Sequence, residues 1–440
     1  MTPSLRARLH AIALSPLLPI FAVIFLLPFG RASEVAVLIC ILGAVLFFVR
    51  APRAWREHPG AGLLLACWLC YFAAALISAW DAVNPGKSWG TVAALIRFAP
   101  FGFYVCFAVR RESRARALYL GIGALVALWT LDAWMQILTG YSVGGHAEAQ
   151  RISGIFGAGD LKLGLVLAVL SPFVAWSARQ CCGRTGLLVA LLLLLGPILL
   201  AGERAAWLMY ALVVIACLWR ETQSPARFLG WIVGACLVAA LAAGIAWKTS
   251  SRFDQRVQRT LLAFDDSPQA LDTAFSGRLD IWRTALKMAA AHPVNGVGVR
   301  GFRYAYPAYA RPGDRFLDVE ACGAGQGACH PHQIVLEVLD DTGAIGVFLW
   351  LIGVVLAVRA WRSVGAPARF RAWPVSVALL VMVFPINTHL AFYSAWWGLL
   401  FWWLLSLWCA SLFSVVTPDD TAKTSRHAEL FRRVSTSDAS

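Results

Sequence analysis

Ala372–Thr417 reads AWPVSVALLVMVFPINTHLAFYSAWWGLLFWWLLSLWCASLFSVVT, with no Asp, Glu, Lys or Arg in it. As one helix it would be about 70 Å long at ~1.5 Å per residue, more than twice a hydrocarbon layer of ~30 Å. It is therefore two membrane spans, and Pro385, Asn387 and His389 mark the reversal between them. Similar runs recur throughout a 440-residue chain that is 59% hydrophobic and only 14% charged. About twelve are expected, at roughly 11–30, 35–49, 61–80, 88–109, 117–139, 161–178, 186–201, 205–219, 228–247, 342–358, 372–391 and 395–416. Hydrocarbon offers backbone groups no water, so each span must satisfy its own hydrogen bonds as a helix. The fold class is an all-α polytopic membrane protein with about 12 transmembrane helices.

Lysine and arginine are spread unevenly over the connecting loops. Arg6/Arg8, Arg50/Arg53/Arg56, Arg110/Arg111/Arg114/Arg116, Arg179/Arg184, Arg220/Arg227 and Arg359/Arg362/Arg369/Arg371 occupy alternate loops. Lys423, Arg426, Arg432 and Arg433 extend the series into the tail. The intervening short loops hold little more than Arg31, Lys87, Arg151 and Arg204. The positive-inside bias makes the first set cytoplasmic and leaves both termini inside. Four segments follow: helices in 1–247, a large periplasmic loop 248–332, helices in 333–416 and a polar cytoplasmic tail 417–440. The net charge of +14 is largely this topology signal and calls for no nucleic acid.

The loop 248–332 has its own pattern. Arg252, Arg256 and Arg259 share one helical face, and Phe253, Val257, Leu261 and Phe264 another. This is either a helix lying on the membrane surface or an extension of the ninth span packed on the protein. The stretch 276–298, SGRLDIWRTALKMAAAHPVNGVG, is a second helix, with Ser276 as its N-cap and Pro293 as its stop. Asp280, Arg283 and Lys287 are expected on its solvated face, and Leu279, Trp282, Leu286 and Ala289 on its apolar face. Arg278 lies one turn before Trp282 and so projects from the apolar side. Arg303, Arg311 and Arg315 read as solvated loop charges, and His292 as a structural residue.

Most of the eleven cysteines fall in apolar runs. Cys322 and Cys329 lie in the outer loop, joined by a glycine-rich connector, and are a disulfide candidate. A metal site with His330 and His332 is the rival reading, but the spacing fits no common zinc pattern.

Cations and histidines gather on one side of the membrane: Arg97, Arg151, Lys162, Arg204, Arg278, His330 and His332. Charge in or near a membrane is costly and is usually paired or functional. Arg97 has Asp81 or Asp132 as candidate partners, Arg204 has Glu203, and Lys162 has Asp160. Several arginines converging where acids are few suggest a bound anion, because guanidinium forks match phosphate oxygens. His330 and His332 flank Pro331 and would point to opposite sides of an extended chain. His332, nearer the helix QIVLEVLDDTGAIG, is the preferred proton acceptor.

RISGIFGAGDLKLG, the Arg204 turn, SGRLDIWRTALKMAAAHPVNGVG and HPHQIVLEVLDDTGAIG together resemble the O-antigen ligase and O-antigen polymerase superfamily. The resemblance implies an inverting glycosyltransferase of the GT-C type in the bacterial inner membrane. The ligase moves a glycan from undecaprenyl diphosphate to the lipid A–core at the periplasmic face, without metal or cofactor and without an obligate protein partner. The partners so implied are the undecaprenyl diphosphate-linked O-antigen, the lipid A–core acceptor and membrane lipids. Arg204 and Arg278 match the family's outer arginines and His332 its histidine, which makes these three the candidate catalytic residues. Arg151 matches the arginine of its R-x-S-G motif. Arg97, Lys162 and His330 are candidate substrate contacts. Gln333 departs from the pattern, standing where the family has Asn. A polymerase extending the lipid-linked glycan is the alternative within the superfamily. A protein O-oligosaccharyltransferase and a transporter of lipid-linked substrates are more distant ones. A transporter would place its charges near the midplane rather than at one face.

Overall fold

The computed structural model describes residues 15–53, 58–147, 151–160, 162–222, 224–249, 251–264, 277–317, 325–385 and 391–416, with 267, 272, 275, 322 and 323. The chain is built from helices α1 (Leu18–Phe25), α2 (Ser33–Arg50), α3 (Pro59–Ser78), α4 (Pro85–Leu95), α5 (Phe98–Ala108) and α6 (Glu112–Thr139). A two-stranded hairpin follows, Tyr141–Ser142 with Gly145–His146. Then come α7 (Leu163–Ala201), α8 (Arg204–Glu221), α9 (Pro225–Thr249) and α10 (Ser251–Leu261). The chain continues with α11 (Arg278–Ala291), α12 (Phe302–Tyr309), α13 (Ile334–Ser363), α14 (Ala366–Met382) and α15 (Ala395–Leu412).

Among the described residues eight helices are long and apolar enough to cross a membrane, which makes this an all-α polytopic membrane protein. One of them, the 39-residue α7, holds two of the expected spans. At Gly183 its backbone takes φ 68° and ψ −155°, a conformation essentially confined to glycine. The chain folds back there. A Cβ placed on Gly186 would lie 2.7 Å from the carbonyl oxygen of Ala178, and one on Gly164 2.9 Å from Ala201 Cβ. The two halves are thus antiparallel, with residues 164 and 201 at one end and Arg179 and Arg184 at the other. Three further expected spans correspond to α1, α8 and α14. The first and last are shorter, and α8 carries Arg204, Arg220 and Glu221. The reversal expected near Pro385 falls between α14 and α15, with Asn387 and His389 outside the described residues.

α15 is the central helix. Trp402 and Trp403 are fully buried, and Trp403 Nε1 donates to the Ile20 carbonyl at 3.0 Å. α9 is at the periphery, with Leu229, Val233, Leu237 and Leu241 all exposed, as a lipid-facing helix requires. In hydrocarbon an exposed leucine costs nothing, so burial separates central from peripheral helices where hydropathy cannot.

The loop between α9 and α13 forms a small core of its own from Ile281, Ala285, Met288, Val297, Phe302, Ala305, Tyr306 and Ala328. It docks on the bundle through backbone bonds from Val83 N to Val297 O (3.0 Å) and from Val297 N to Asp340 O (2.8 Å). Asp341 accepts from the amides of Arg300 and Phe302 at 2.8 and 3.3 Å. Gly343, at φ 64° and ψ −166°, breaks α13 against Val294 and Asn295, and Ala344 N donates to Pro293 O at 2.9 Å.

Several expectations about this loop are corrected. The N-cap of α11 is Gly277 at φ 79°, with no side-chain cap, and Ser276 lies outside the described residues. Asp280 is buried rather than solvated, because Arg283 and Arg311 reach its two oxygens at 3.3 and 2.6 Å. Leu286 is exposed, and the packed face is Ile281, Ala285, Met288 and Ala289. Arg311 is therefore an ion-pair residue, as is Arg315 through Asp272 at 3.1 Å. In α10, Phe253 is buried against Trp207 of α8, with ring centroids 5.4 Å apart, whereas Leu261 and Phe264 are exposed. That end of α10 packs on the protein. The side chains of Arg252, Arg256 and Arg259 lie outside the described residues.

Candidate active site

α7 ends at Gly202, whose φ of 85° lets the chain turn within Gly202–Glu203 and start α8 at Arg204. The turn places Arg204 at the end of the bundle where the large loop docks. Arg204 Nη1 donates to Thr260 Oγ1 of α10 at 3.4 Å. Arg278 begins α11 just as Arg204 begins α8. Burial pushes the Arg278 guanidinium down to about 10, and the neighbouring charge of Arg204 adds to the effect. Two cations whose charges oppose each other thus sit at the positive ends of two helices. A helix N-terminus with its free amides already favours an anion.

Trp282, one turn after Arg278, donates from Nε1 to the Pro331 carbonyl at 3.0 Å. This bond ties the Arg278 helix to the His330-Pro331-His332 segment and gives a physical reason for the spacing between that arginine and the tryptophan. The two histidine rings do not point to opposite sides. They lie against each other with centroids 3.9 Å apart and planes tilted by 42°, at a His332 backbone of left-handed φ 55°. Gln333 then caps α13, its Oε1 accepting from Leu336 N, while its Nε2 donates to the Pro385 carbonyl at 3.1 Å. The longer glutamine thus does hydrogen-bonding work at the position where the family pattern has asparagine. Cys322 and Cys329 are joined by a disulfide, with Cα atoms 5.3 Å apart, immediately before His330.

Arg151 reaches the same corner. Its Nη1 pairs with Glu203 Oε1 at 3.2 Å, and Glu203 is almost fully buried. Glu203, in extended backbone before the helix begins, is engaged by Arg151. The loop carrying Arg151 is held by Gln136 of α6, whose Oε1 accepts from Ser153 N at 2.9 Å and Gly154 N at 2.8 Å. Lys162 pairs with Asp160 as its spacing suggested, and its ammonium lies 4.9 Å from the Trp396 ring. Arg97 is placed differently. It bridges Glu34 of α2 at 3.0 Å and the Ala94 carbonyl at 2.7 Å, and no contact joins it to Arg204 or Arg278 among the described residues. Neither expected acid serves it: Asp132 accepts from Val143 N at 2.8 Å, and Asp81 accepts from Asn295. His292 is structural, bonded to Tyr309 Oη at 2.8 Å.

Sequence reasoning missed Gln136, Thr260, the pairing of Glu203 with Arg151 and the anchoring bond of Trp282. Of these only Trp282 had a visible signal, its fixed distance from Arg278.

These features define a polytopic helical membrane protein with a half-buried arginine pair and a pair of histidine rings in contact at one face. The family model described as O-antigen ligase matches residues 189–351, and over that stretch the chain is similar to that family. The matched region contains Arg204, Arg278, His330 and His332. Arg97, Arg151 and Lys162 precede it. No curated protein matches the chain.

Proposed function

We propose that the protein is an O-antigen ligase of the GT-C type, with twelve spans in the bacterial inner membrane and both termini cytoplasmic. It would transfer a glycan from undecaprenyl diphosphate to the lipid A–core at the periplasmic face. The observation that carries this reading is the approach of Arg204 and Arg278, each at a helix N-terminus, beside a histidine pair tethered by Trp282.

In this reading the acceptor hydroxyl attacks the anomeric carbon from the face opposite the diphosphate. The bond from carbon to the bridging oxygen breaks, and its electron pair stays on the leaving diphosphate. Arg204 and Arg278 stabilise the charge that develops there, an effect worth ~2–4 kcal/mol per well-placed donor. The acceptor proton passes to His332. His330, in ring contact with His332, orients it, and Arg151 and Lys162 line the approach of the anionic donor. Arg97 ties α2 to the α4–α5 break.

The experiment combines purified protein in detergent, undecaprenyl diphosphate-linked glycan and rough lipopolysaccharide, with chelator present. Glycan on the lipid A–core with wild type and none with His332→Ala is the expected result. A glycan ladder on the polyprenyl carrier alone would make the protein a polymerase. No transfer of either kind by a well-folded sample would overturn the enzymatic reading.

A further inference from the structure

The end of the bundle opposite Arg204 contains a cavity of about 720 Å³ between the Gly183 turn of α7, the end of α8, the start of α9 and α14. Four arginines line it, Arg179, Arg184, Arg220 and Arg227, against a single carboxylate, Glu221. Glu221 binds Arg179 at 2.8 Å and Arg184 at 3.1 Å, in each case through Nε alone. Those bonds leave the terminal amino groups of both guanidinia to serve other acceptors.

Arg220 is held differently. Its guanidinium lies 3.9 Å from the Phe370 ring centroid and 4.4 Å from that of Trp373. Its Nη1 is buried and makes no hydrogen bond among the described residues. An arginine kept at this face only to set topology needs nothing beyond exposure to water. A stacked, desolvated guanidinium with an unused donor is costly unless something satisfies it. Arg227 is exposed and has no ion pair among the described residues. Leu187, Leu218 and Trp231 give the cavity an apolar part of its lining.

From this geometry we infer that the cavity binds an anionic phosphate ester with an apolar flank, the headgroup phosphate of an anionic phospholipid in the leaflet at that face. The volume suits a headgroup with its glycerol, the arginine ring suits the phosphate oxygens, and the leucine and tryptophan wall suits the first methylenes of an acyl chain. Soluble phosphate esters offer the same oxygens without the chain. The site lies at the far end of the bundle from Arg204 and Arg278, so it does not depend on the proposed transfer reaction.

The test is native mass spectrometry of the detergent-purified protein with phosphatidylglycerol, phosphatidylcholine or glycerol 3-phosphate, for wild type, Arg220→Gln and Arg227→Gln. Arg227 is exposed, so its replacement leaves the fold intact even if Arg220→Gln does not. Wild type should retain phosphatidylglycerol in preference to phosphatidylcholine, and Arg227→Gln should bind it about fivefold more weakly. Glycerol 3-phosphate bound as tightly as the lipid, with the same arginine dependence, would keep the site and assign it to a soluble ester. Phosphatidylglycerol retained equally by wild type and Arg227→Gln, or no better than phosphatidylcholine by wild type, would overturn the inference.

Discussion

Replacing Arg278 by Lys keeps a positive charge at the first position of α11 but changes how readily it is lost. Burial, with the charge of Arg204 behind it, brings the Arg278 guanidinium from 12.5 to about 10. Lysine starts from 10.5, lower than arginine, so the same burial and the same neighbouring charge would make its ammonium easier to neutralise than the guanidinium. The protonated form is the one that holds an anion. Its contribution is therefore lost at a lower pH in the variant than in wild type, which keeps its charge to about 10. At pH 7 the variant loses only the planar fork. One charge-assisted hydrogen bond is worth ~1.5–3 kcal/mol, or about ten- to a hundredfold in kcat/KM. As pH rises toward 9 a growing share of the lysine is neutral, so the variant should fall further below wild type. The assay is kcat/KM for glycan transfer between pH 6.5 and 9, expressed as the ratio of variant to wild type. Titration of groups common to both enzymes, the histidines included, cancels in that ratio, and kcat/KM reports the free enzyme. A ratio flat from pH 6.5 to 9 would refute the placement of Arg278 in a buried site beside Arg204.

Three other outcomes are expected. Gly183→Ala and Gly343→Ala each force alanine into a glycine-only backbone conformation at about 1–3 kcal/mol. Gly183 has open space around it while Gly343 lies against Val294 and Asn295, so Gly343→Ala should lower the unfolding midpoint in detergent distinctly more. Arg151→Ala takes from the buried Glu203 its guanidinium partner and should destabilise by up to about 3–5 kcal/mol. Adding Glu203→Gln should recover much of that loss in a double-mutant cycle read by thermal unfolding. Trp282→Phe keeps the ring but removes the donor to the Pro331 carbonyl. It should cost about 1–3 kcal/mol in stability and lower kcat/KM for transfer by loosening the tie between Arg278 and His332.

Much of the architecture is legible in the chain because the membrane imposes one rule on every span. Long uncharged runs such as Ala372–Thr417 must be helical and must reverse, and Gly183 lies between the two runs that form the hairpin of α7. Arg204, Arg278 and His332 stand out in the sequence as candidates, since charge beside a membrane is costly and their spacing resembles a family pattern. The partners of those groups are a different matter. Which carboxylate neutralises which arginine depends on helices brought together from distant parts of the chain, so Arg97 meets Glu34 and Arg151 meets Glu203. The contact of the His330 and His332 rings likewise goes with one left-handed φ, which leaves no trace in residue type at a histidine. Hydropathy and local charge follow from composition alone. Ion pairing, burial of Asp280 and the convergence of two helix N-termini on one corner are long-range, and only tertiary packing decides them.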